Sequence, residues 1–91
     1  MADRRGGSRR DMDSVLLRIY RRGWVPSKTR HHIDALSVVH DFKDRRYAEL
    51  LLKGLAREGM IHSAKYPVLT KEGLMRALAL FMRRMDEAVL K

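Results

Sequence analysis

Apolar residues return at spacings of three and four along most of this chain, with polar residues filling the positions between them. Val15, Leu16, Ile19 and Tyr20 form one stripe, Ile33 and Leu36 a second, and Ala48, Leu51, Leu52 and Leu55 a third. Met75, Leu78, Met82, Met85 and Val89 continue the pattern towards the end of the sequence. Residues three and four apart share one side of a helix, so four helices are predicted. Their expected spans are about Met12–Arg22, Lys28–Val39, Arg45–Glu58 and Lys71–Lys91. Start and stop signals agree with these spans. Asp11 or Asp13, Ser27, Asp44 and Thr70 stand where N-caps are needed. Gly23 and Gly59 stand where a left-handed residue closes a helix.

Between the third and fourth helices the period changes. Met60-Ile61 and Pro67-Val68-Leu69 flank a short polar tip, His62-Ser63-Ala64-Lys65, which predicts a small β-hairpin. Trp24-Val25 suits either a short strand beside that hairpin or a core filler. The expected fold is therefore mainly α with a small β-hairpin: a winged helix-turn-helix with a long C-terminal dimerisation helix. Residues 1–11 read as a disordered basic arm, 12–70 as the winged-helix domain and 71–91 as the dimerisation helix.

Two stripes exceed what one small core needs. Tyr47, Leu50 and Gly54 form a second line on the third helix, suited to packing or to contact with thymine methyl groups. On the last helix, Leu74, Ala77 and Phe81 adjoin the line of Met75, Leu78, Met82, Met85 and Val89. One line is expected to pack on its own domain and the other on a second copy, because together they would expose a large apolar patch. The predicted dimer interface is Leu74, Met75, Leu78, Phe81, Met82, Met85 and Val89.

Charge narrows the partner class. The 91 residues carry 20 Lys+Arg against 11 Asp+Glu, a formal net charge of +9. Arginine outnumbers lysine 14 to 6, and its planar fork suits phosphates and guanine edges. Such an excess favours a polyanion. Arg45 and Arg46 open the third helix and Glu49, Lys53 and Arg57 follow on its polar side, as in a recognition helix whose first turns enter a major groove. Arg4, Arg5, Arg9 and Arg10 on the arm suit phosphates or a minor groove, or serve only as a solubilising tail.

A family resemblance accompanies this pattern. Lys28-Thr29-Arg30 after Pro26, the helix ending in Met60-Ile61, and Tyr66-Pro67-Val68-Leu69-Thr70-Lys71-Glu72-Gly73 resemble archaeal winged helix-turn-helix DNA-binding proteins. They are similar to small basic crenarchaeal chromatin proteins that dimerise through a coiled-coil helix, and the pattern recurs loosely in archaeal winged-helix transcription regulators. That resemblance implies DNA contacts from the segment Lys28 to Arg30, from Arg45, Arg46 and Lys53, and from Lys65 on the wing.

Other chemistry finds little support. With no cysteine, disulfides and thiolate metal sites are excluded. His31 and His32 are adjacent and point about 100° apart on a helix, and His40 and His62 lack chelating spacing, so no metal is predicted. No phosphate-binding glycine loop or nucleophile motif occurs, and neither a cofactor nor an enzymatic activity is expected. The N-terminal arginines precede no apolar core, which predicts a cytoplasmic, nucleoid-associated protein without a membrane partner. Double-stranded DNA binding by a homodimer, as transcription regulator or nucleoid protein, is the leading expectation. A protein-interaction adaptor that does not touch DNA is the alternative.

Overall fold

A computed structural model describes residues 8–26 and 34–90, with side chains through Met85. Among the described residues three α-helices carry the fold: α1 (Arg9–Arg21), α2 (Arg45–Arg57) and α3 (Lys71–Leu90), with a short 3₁₀ turn at Ala35–Val38 between the first two. Helix α1 lies at the centre and packs against α2, the 3₁₀ turn and α3.

Local chemistry sets each boundary. Ser8 caps α1 by accepting from the Asp11 N–H at 3.2 Å, so the helix begins three residues before the expected Met12 and takes in Arg9 and Arg10. Asp44 caps α2 by accepting from the Arg46 N–H at 2.9 Å, and Thr70 caps α3 by accepting from the Gly73 N–H at 3.0 Å. Both α1 and α2 close in the same way. Gly23 and Gly59 have φ of 75° and 76°, and Trp24 and Met60 donate back to the carbonyls of Ile19 and Leu55. Left-handed backbone favours glycine at both positions.

The predicted stripes of α1 and α2 form the core. Met12, Val15, Leu16 and Ile19 meet Ala48, Leu51, Leu52 and Leu55, with Val38, Val39, Ile61, Leu69 and Ala77 completing it. A second side of α1 serves α3. The Asp13 carboxylate takes a hydrogen bond from Arg76 at 2.9 Å, and the Tyr20 and Phe81 rings lie 6.1 Å apart. Two members of the second stripe of α2 face inward too: Gly54 is buried, and the Tyr47 hydroxyl donates to Asp11 at 2.5 Å while accepting from the Ser8 N–H at 3.1 Å. Leu50, the third, is half-buried.

The predicted winged helix-turn-helix is not what the chain forms. Among the described residues there is no strand; the expected hairpin amounts to one isolated antiparallel bridge, Ile61 to Leu69. Its rung consists of His62 N–H to Val68 O and Thr70 N–H to Met60 O, each 3.0 Å. It goes no further because the Val68 N–H, which would complete the rung by donating to His62 O, turns back to Tyr66 O at 2.8 Å. On the outer edge the Leu69 N–H donates to Trp24 O at 2.9 Å. That last bond is the one strand-like link of Trp24, which otherwise acts as a half-buried filler. The polar tip is a bent loop, and Gly73 fixes its exit: a Cβ there would stand 1.8 Å from Met60 O.

The helix expected over Lys28–Val39 also needs correction. Lys28 to Ile33 lie outside the described residues. Asp34 is extended, at φ −101° and ψ 100°, and caps the 3₁₀ turn alone. The tighter turn changes the register, and Leu36, expected to face inward, is 45% exposed. Val38 and Val39 are buried as expected. Among the described residues, no helix is long and apolar enough to cross a membrane.

Candidate nucleic-acid interface

The polar side of α2 is a cationic face. At 100° per residue, positions 45, 49, 53, 46 and 57 fall within an arc of about 120°. All five are exposed: Arg45, Arg46, Lys53 and Arg57, with Glu49 as the single acid. Among the described residues none of these side chains forms an ion pair. The face has neighbours from two other segments. Glu49, Leu52 and Lys53 line a surface cleft of about 440 Å³ together with Asp34, Leu36 and Lys65. Arg45 lines an adjoining depression with Leu36, His40 and Phe42. Leu36 borders both, so Arg45, Lys53 and Lys65 belong to one continuous surface although 20 residues of sequence separate the first from the last. Arg57 completes this face; it was placed on the polar side of the helix but not among the predicted contacts, although its spacing of four from Lys53 was a signal for including it.

Other predicted contacts lie elsewhere. Arg9 pairs with Glu58 at 2.6 Å, and Arg10 lines a depression between α1 and α3 with Asp13, Arg83 and Arg84. Neither joins the α2 cleft. Lys28, Arg30, Arg4 and Arg5 lie outside the described residues.

Helix α1 adds less free charge than its composition suggests. Arg18 forms a two-pronged pair with Asp41, at 2.6 and 2.8 Å, donates to Val38 O at 3.0 Å and lies 5.2 Å over the Phe42 ring. The Arg18 hydrogen bond, chief among several causes, holds the Asp41 carboxyl below its ordinary range. Arg22 lies 5.9 Å over Trp24 and donates to Ser37 O at 3.4 Å.

The two lines of α3 separate as expected. Leu74 and Ala77 pack on the core and Phe81 on Tyr20, so Leu74 and Phe81, predicted for the dimer interface, serve the protein's own domain instead. Met75, Leu78, Met82 and Met85 are 63%, 39%, 64% and 53% exposed. These four fall within about 80° of one another around the helix. Val89 lies outside the described side chains.

Comparison with known proteins finds no family model, curated protein or solved structure that matches this chain. The likeness to archaeal proteins rests on the short motifs alone.

Proposed function

We propose that this protein binds double-stranded DNA through the exposed face of α2, as a homodimer joined along α3, acting as a transcription regulator or nucleoid protein. The observation that carries the proposal is the α2 face, where four cations that form no ion pair among the described residues share a surface with Lys65. Cations that no carboxylate neutralises are the ones a phosphate backbone can engage. A helix about 10–12 Å across fits a major groove of about 12 Å. Arg45 and Arg46 at its first turn would approach base edges, and Lys65 would rest on a flanking phosphate.

The dimer rests on the α3 stripe. Four large apolar side chains in one line, each more than a third exposed, are what a second copy would cover. Met82→Glu is expected to shift the protein to monomer in analytical ultracentrifugation and to weaken duplex binding more than tenfold through lost avidity. An unchanged sedimentation coefficient would remove the dimer.

Fluorescence anisotropy against a mixed-sequence duplex tests the main proposal. Neutralising about six phosphates should give a slope of log K against log salt near −5, at roughly 0.9 per phosphate. A flat response would remove it. The same α3 stripe favours a second reading, an adaptor that docks another protein. Capture of a protein partner with no duplex affinity at physiological salt would select that reading.

A further inference from the structure

One carboxylate stands out on the cationic face. Glu49 is exposed, lies one turn from Arg45 and one turn from Lys53, and lines the cleft that Lys53 and Lys65 also line. Among the described residues it forms neither an ion pair nor a hydrogen bond. Asp34, the other acid of the cleft, is already engaged in capping the Leu36 N–H at 3.1 Å. A carboxylate on a surface that meets phosphates lowers affinity everywhere except where it finds a donor. In the major groove the donors are the amino groups of cytosine and adenine.

The surroundings of Glu49 discriminate between those two bases. Adenine presents its amino group beside the N7 acceptor, which repels a carboxylate. Cytosine presents N4 beside an apolar C5–H edge, and its paired guanine offers the acceptors O6 and N7. The cleft has the matching arrangement. Leu36, Leu52 and Ala64 supply apolar carbon around Glu49, and Lys53 supplies a cation about 6 Å further along the helix axis.

We infer that Glu49 and Lys53, with Leu36 beside them, read a C·G base pair in the major groove. Glu49 accepts from cytosine N4, Lys53 donates to guanine O6 or N7, and Leu36 packs on the cytosine C5 edge. This inference rests on the duplex-binding proposal above and adds a base preference to it. It also gives the exposed Leu36 a use.

Selection from a random duplex library tests it, run with the full-length protein and with Glu49→Ala and Glu49→Gln. The wild type should enrich sites with an invariant C·G pair and favour them about tenfold over the T·A replacement. Glu49→Ala should lose that preference while its affinity for mixed-sequence duplex rises, since a repulsive charge has left the surface. Glu49→Gln, which keeps the shape, should show a relaxed preference. Circular dichroism of both variants should give the wild-type helix content. Duplex binding without any cytosine preference, or the same selected site from Glu49→Ala, would overturn the inference and leave the proposed function standing. Absence of all duplex binding would overturn both.

Discussion

Helices α1 and α2 each carry arginines on their polar sides, yet the fold treats them differently. On α1, Arg18 is fixed by Asp41, by Val38 O and by the Phe42 ring, and Arg22 covers Trp24. On α2, Arg45, Arg46 and Arg57 form no ion pair among the described residues. The first set fastens the loop after the 3₁₀ turn to α1, whereas the second stands open to a ligand. A net charge of +9 therefore overstates the charge available for binding. The position of each cation relative to Asp13, Asp41 and Glu58 decides which arginines remain free.

Replacing Arg45, Arg46 and Lys53 together by Ala gives the largest expected effect. Duplex affinity should fall on the order of a hundredfold at low salt, and the salt slope should become shallower, because three cations leave the surface that meets the DNA polyanion. Thermal stability should change little, because all three side chains are exposed and surface substitutions usually stay within about 0.5 kcal/mol. A wild-type salt slope in the triple variant would erase the distinction between the two helices. Arg18→Ala should behave in the opposite way. Losing the fork to Asp41, the bond to Val38 O and the packing on Phe42 should cost about 1–2 kcal/mol in urea unfolding and leave the salt slope unchanged. A reduced slope would mean that Arg18 leaves Asp41 to meet DNA.

The smallest effect is on pH. The folded Asp41 carboxyl lies below its ordinary value of 3.8, so its contribution is present above that value and fades as pH falls through the folded one. Asp41→Asn should be less stable than wild type near neutrality, and the gap should narrow as pH falls below about 4. A gap of constant size in thermal melts between pH 2 and 7 would show that the Arg18–Asp41 pair adds no pH-dependent stability.

Much of the helical framework was legible because it depends on local relations. Gly23 and Gly59 close helices, Asp44 and Thr70 open them, and the stripes of α1 and α2 are the core, all within one or two turns of chain. The hairpin was misread because alternation of residue types does not show where one backbone donor turns. Pattern and tip suggested two strands, but the Val68 N–H folds back on Tyr66 O instead of crossing to His62 O. Leu36 was assigned to the core because helical spacing was carried through Asp34, where the backbone is extended. The candidate interface was half legible: α2's exposed arc followed from spacing, whereas the joining of Lys65 and Leu36 to it did not.

Spacing by itself determined that α2 presents one apolar and one cationic side, and that α3 carries two apolar lines. A helix turns by a fixed angle per residue, so composition at given intervals becomes composition of a face. Only the tertiary structure decided which faces stay open. Asp41 reaches Arg18 across 23 residues, α1 covers the Leu74–Phe81 line of α3, and a cleft sets Glu49 beside Lys65. Charge neutralisation and burial act between atoms a few ångströms apart, and no interval along the chain encodes which distant residues will meet.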